Sequence, residues 1–79
     1  MHHPIRVNEY LWSGAVAPEG ILDAWCRDDG AQIAAGDKLA EVEIEGVRHE
    51  VTAPAGGQLR VLMFAGAVLD PGDVIGQVV

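Results

Sequence analysis

The second half of this chain rewrites the first. Ala17-Pro18 returns as Ala53-Pro54, and Gly20-Ile21-Leu22 returns, one insertion later, as Gly57-Gln58-Leu59. Trp25 corresponds to Leu62 in the same frame. After one deletion, the run from Gly30 to Leu39 matches the run from Gly66 to Ile75, with Gly36-Asp37 recurring as Gly72-Asp73. Two copies of ~36 residues are too few for a solenoid, which needs at least three units to bury a continuous core. They are enough for a closed two-sheet body in which each half supplies strands to both sheets, and closure protects strand edges. A single domain over 1–79 is therefore expected, its first half at about 5–45 and its second at about 47–79.

The two halves meet at Leu39–Val51, LAEVEIEGVRHEV. Ala40, Val42 and Ile44 alternate with Glu41, Glu43 and Glu45, the period-2 signature of a strand with one dry and one wet face. Glu45-Gly46 suits a tight turn, because glycine tolerates the positive φ that hairpin turns of the primed type require. Val47, His49 and Val51 then resume the alternation. With Glu45 and Gly46 as the turn residues, Ile44 faces Val47, Glu43 faces Arg48, Val42 faces His49 and Glu41 faces Glu50. The Glu43–Arg48 pair is favourable in that register and the Glu41–Glu50 pair is not.

The rest of the chain reads as short strands and turns. A first strand is expected over Pro4–Trp12, and a loop over Ser13–Gly20. A second strand covers Ile21–Arg27, with Leu22 and Trp25 as core residues whose spacing of three implies a bulge. Asp28-Asp29-Gly30 and Ala35-Gly36-Asp37 are turns around a short strand at Ala31–Ile33. Glycine or proline interrupts every long window that could carry a 3.6-residue apolar stripe, so helix is not expected; Ile21–Asp29 comes nearest to an exception.

Composition narrows the function classes. A chain of 79 residues buries only ~60–65% of its unfolded surface, which leaves no room for a deep enclosed active site. The formal charge of −7 argues against nucleic acid and against an anionic membrane, and favours a basic protein partner. No apolar run reaches a membrane span and no signal peptide is apparent. One cysteine, Cys26, excludes an internal disulfide framework and fits a cytoplasmic setting. His2 and His3 are too few to mark an expression tag.

Taken together, Glu19-Gly20, Leu22, Trp25, Gly30, Ile33, Gly36-Asp37, Leu39, Glu41-Val42-Glu43, Glu50-Val51, Ala53-Pro54, Gly57, Leu59, Gly66, Gly72 and Ile75 resemble the lipoyl/biotinyl carrier-domain family, closer to lipoyl, over nearly the whole chain. The resemblance implies an all-β fold: a flattened barrel of two four-stranded antiparallel sheets related by a pseudo-two-fold. It also implies a monomeric, non-catalytic carrier of lipoate or biotin within a multienzyme complex such as the 2-oxo acid dehydrogenases. The family places a lysine at the tip of its central hairpin, commonly in Asp-Lys-Ala for lipoyl and Met-Lys-Met for biotin. Here those positions read Glu45-Gly46-Val47. Gly46 has no amine, so no amide to lipoate or biotin can form there, and the expected state of this chain is without cofactor, as a docking or accessory module.

Other candidates carry two readings each. Lys38, the only lysine, is either a relocated acceptor or a solvated residue before the hairpin. His49 is a packed or edge histidine, or a pH-sensitive or metal-binding one, although no second ligand stands at suitable spacing. Cys26 lacks an activating neighbour and reads as a bystander thiol. Asp28-Asp29-Gly30 lacks the spaced ladder of a calcium loop. Glu41, Glu43 and Glu45 form either a solvated face or a recognition stripe for a basic partner. Trp12 either packs at the barrel end or touches a partner.

Overall fold

The computed structural model describes residues 2–12 and 19–79. Eight strands run in order: β1 (His3–Arg6), β2 (Gly20–Trp25), β3 (Gln32–Ile33), β4 (Lys38–Ile44), β5 (Val47–Thr52), β6 (Gly57–Val61), β7 (Val68–Leu69) and β8 (Val74–Val78). They form two four-stranded antiparallel sheets, β1-β8-β6-β3 and β5-β4-β2-β7. Advancing each strand of the first sheet by four elements generates the second, so each half of the chain contributes two strands to each sheet. This is the arrangement the repeat requires.

The pseudo-symmetry extends to individual backbone bonds. Gly30 N–H donates to Leu59 O and Gly66 N–H to Leu22 O, both at 2.7 Å. Asp37 accepts from Ala34 N–H at 2.9 Å, and Asp73 accepts from Asp70 N–H at 2.8 Å. These carboxylates satisfy turn amides that strand pairing leaves over, which is why Gly-Asp recurs in the sequence. Gly36 and Gly72, at φ 88° and 83°, supply the left-handed residue each turn needs.

Between the sheets lies one cluster of buried side chains, including Ile5, Val7, Leu22, Ile33, Leu39, Val42, Ile44, Leu59, Leu69, Ile75 and Val78. Leu22 and Leu59, equivalent in the repeat, are both fully buried. The bulge expected in the second strand falls between Leu22 and Ala24. Trp25 is half-buried, and its indole N–H donates to Met63 O at 2.8 Å.

One expectation needs correction. The first strand does not continue to Trp12: β1 ends at Arg6, and Glu9–Trp12 is a short 3₁₀ turn. Asn8 causes the change. Its side-chain oxygen accepts Tyr10 N–H at 2.9 Å and its carbonyl accepts Leu11 N–H at 3.0 Å, drawing the backbone out of extended geometry. Over Ile21–Asp29, the nearest exception to a helix-free reading, the chain forms strand and turn as expected, with β2 running to Trp25. The loop expected from Ser13 lies outside the described residues up to position 18, and so does the Ala17-Pro18 repeat element.

Candidate functional site: the hairpin tip and its flanks

The β4–β5 hairpin adopts the register that alternation dictates: Ile44 opposite Val47, Glu43 opposite Arg48, Val42 opposite His49, Glu41 opposite Glu50. At the tip, Glu45 and Gly46 have φ values of 50° and 79°, the two positive values a primed type I turn demands. A Cβ built on Gly46 would meet nothing within 4 Å, so this residue stands out in open space. Val47 is exposed beside it.

Under the tip the packing is tight. Gly20 pairs with Ile44, and a Cβ at Gly20 would come within 3.0 Å of Ile44 Cγ1 and 3.1 Å of Trp12 Cζ2. The bare glycine lets the Trp12 indole lie against the sheet just below the turn. Trp12 is only 7% exposed and belongs to the core.

The opposite end of the hairpin holds Lys38, opposite Thr52. Gly46 lies eight positions further along the chain, roughly 26 Å at ~3.3 Å per residue. The chain's C-terminus lies at this far end as well. A Cβ at Gly57 would come within 2.6 Å of Val79 O, and one at Gly56 would touch the Ala34–Ala35 backbone.

Lys38 is not an isolated solvated amine. Its ammonium donates to Glu41 at 2.7 Å and lies 3.5 Å from Glu50. It sits between the two carboxylates that the register sets against each other and offsets their repulsion. The hydrogen bond to Glu41 raises the Lys38 pKa against an opposing desolvation effect, and the same bond, with the Lys38 charge, lowers that of Glu41. Arg48 reaches Asp23 at 3.3 Å and Glu41 at 3.5 Å. It therefore leaves Glu43, its direct cross-strand neighbour, without the ion pair that pairing by register alone would give. Alternation fixes Cα partners, but a long guanidinium chooses among diagonal neighbours as well.

The remaining candidates are spread out. His49 is half-buried opposite Val42, and among the described residues no group of three or more His, Cys, Asp or Glu is placed to hold a metal. Cys26 is exposed, and its backbone N–H donates to Leu39 O at 2.7 Å. Asp29 uses its carboxylate to accept Val61 N–H at 2.9 Å, and Gly30 has a φ of 88°, so this stretch is a turn. Among the described residues no helix is long and apolar enough to cross a membrane.

The β4–β5 hairpin thus closes at one end of a pseudo-symmetric double sheet. The family model described as "Biotin-requiring enzyme", the biotin/lipoyl family, matches residues 13–78. The chain belongs to that family. Its fold is similar to the solved lipoyl domain of the 2-oxoglutarate dehydrogenase complex from Azotobacter vinelandii, with a TM-score of 0.69 at 20% identity, covering 80% of this chain and 81% of that one. In sequence it is 38% identical over 47 residues to the dihydrolipoyllysine-residue acetyltransferase component of the acetoin cleaving system of Pseudomonas putida. That match takes in 60% of this chain and 13% of the relative's length. Biotin/lipoyl domains of this kind are non-catalytic carriers, and the relatives are components of multienzyme complexes.

Proposed function

We propose that this biotin/lipoyl domain serves as an accessory or docking module of a carrier-type complex related to the 2-oxo acid dehydrogenases, with no cofactor attached. The observation that carries the reading is Gly46. It lies in the exposed turn, the position with which the resemblance aligns the family's lysine, and it has no side chain to acylate. An amide to lipoate or biotin needs a primary amine, and neither Glu45 nor Val47 offers one. The module has no catalytic residue of its own in this reading, its partner is a protein, it acts as a monomer, and its setting is cytoplasmic. Glu43 and Glu45 near the tip, with Glu41 lower on the same face, are the acidic residues a basic partner would meet.

A second reading has a specific observation behind it. Lys38 is a primary amine about 40% exposed, and attachment there would make the chain a genuine carrier. Against it stand the ion pairs to Glu41 and Glu50, which keep the amine protonated and therefore non-nucleophilic, and its position far from the displayed turn. Expression in cells fed isotope-labelled lipoate or biotin separates the two. The proposal expects no label on the purified chain. Label that vanishes in Lys38→Arg would establish the second reading instead.

A further inference from the structure

The internal repeat supplies a control for every surface residue: whatever the fold demands at one position, it demands at the pseudo-symmetric one. Most equivalent positions agree in character. Among those that differ, three place an exposed apolar side chain where the other sheet has a polar one, and these three cluster. On the outer face of the hairpin-bearing sheet, Ile21 of β2 pairs with Val68 of β7, and the two are 49% and 56% exposed. Their equivalents in the other sheet, Gln58 and Gln32, form the matching β6–β3 pair. Phe64, 75% exposed, opens the turn that leads into β7, with Ala67 N–H donating to its carbonyl. The equivalent turn opens with Asp28, whose carbonyl accepts Ala31 N–H. Gly66 and Ala67 are bonded to the Leu22 backbone, so Phe64 lies at the same sheet edge as Val68 and Ile21.

Gln58, Gln32 and Asp28 demonstrate that this barrel closes with polar residues at these places. Three apolar side chains exposed at the β7 edge are therefore not a requirement of the fold. We infer that Ile21, Val68 and Phe64 form a docking strip for a protein segment that presents aliphatic side chains flanked by lysine or arginine. The basic flank follows from charge. Glu43 lies next to Ile21 across the β2–β4 ladder, on the same outer face, and Arg48 has turned away from it toward Asp23 and Glu41. It makes no ion pair among the described residues. The chain as a whole carries −7, so a second copy would bring like charge against like, whereas a basic segment would find Glu43 waiting beside the apolar strip. The inference holds whether or not a cofactor is attached to the domain.

The test is a titration of the isotope-labelled chain, followed by backbone amide NMR shifts, with an amphipathic leucine/lysine peptide and with its leucine/glutamate counterpart. The leucine/lysine peptide should shift the amides of Ile21, Glu43, Phe64 and Val68 and leave Gln58, Gln32 and Asp28 in place, and the glutamate version should bind more weakly. Ile21→Gln and Val68→Gln install the residue the other sheet already tolerates, so they should keep the melting temperature while weakening peptide binding roughly tenfold or more. Equal shifts at both sheets, no shifts at all, or unchanged binding by the two variants would each overturn the inference. So would a dimer seen by sedimentation and abolished by Ile21→Gln, since that would assign the strip to a second copy.

Discussion

A lysine placed at Gly46 should be tolerated by the barrel at a cost of about 1 kcal/mol, and the structure allows that number to be worked out. No atom lies within 4 Å of the Cβ such a residue would add, so there is no packing penalty. The penalty is conformational: at φ 79° a residue with a Cβ costs ~1–2 kcal/mol relative to glycine. Replacing glycine also removes freedom from the unfolded chain, which returns ~0.4–1 kcal/mol. The net loss of about 1 kcal/mol corresponds to a fall in Tm of ~4–8 °C for a domain of this size. Thermal and urea unfolding of Gly46→Lys beside the unchanged chain measures it. Gly57→Ala is the contrasting control, because its Cβ would lie 2.6 Å from the Val79 carbonyl oxygen and must displace backbone. A loss above ~3 kcal/mol for Gly46→Lys would mean the tip is packed against something. A gain in stability would mean the turn does not hold positive φ.

Other consequences of the packing and charges are as direct. Gly20→Ala adds a methyl against Ile44, Trp12 and the Glu43 carbonyl at 3.0–3.2 Å, and should cost ~1–3 kcal/mol through overpacking, with a change in Trp12 fluorescence. Leu22→Ala and Leu59→Ala, equivalent and both fully buried, should each cost ~2–5 kcal/mol in urea unfolding, and by closely similar amounts. Asp37→Ala and Asp73→Ala each strand one turn amide and should lose ~1 kcal/mol apiece.

The Lys38–Glu41 pair gives a pH dependence. Glu41 is depressed, so its contribution is present above its unfolded pKa and is lost as pH falls through the folded value. Lys38 is raised, so its contribution is present below its unfolded pKa and is lost as pH rises through the folded value. The melting-temperature gap between the natural chain and Lys38→Met should therefore be flat through neutrality. It should narrow below about pH 4 and again above about pH 10.5, the ordinary values of the two groups.

Much of the fold is legible in the sequence because its signals are local and periodic. Alternation over Ala40–Ile44 and Val47–Val51, punctuated by one Gly, leaves a single register that buries the apolar set, and that register is the one observed. The repeat likewise announces that each half must feed both sheets. What escapes is set by side-chain reach and by contacts between distant segments. Asn8 is a polar residue within an otherwise strand-like run, and only its bond to the Tyr10 amide ends the strand. Such an Asx-type bond was the available signal. Arg48 bypasses its register partner, and Lys38 bridges two acids it is not paired with; neither follows from period-2 counting. The apolar strip was illegible for another reason. Ile21 and Val68 are 47 positions apart, and they become neighbours only once β7 adds to β2. The tip itself was readable to the residue, since its position depends only on where the alternation pauses.

The hairpin tip stands in open space and has no amine at Gly46. Co-expression with a lipoate-attaching enzyme, followed by intact-mass analysis, tests this most directly. The natural chain should emerge at its bare 8.4 kDa mass, while Gly46→Lys, run beside it, should gain the lipoyl increment in part of the population. A lipoyl increment on the natural chain would contradict the account.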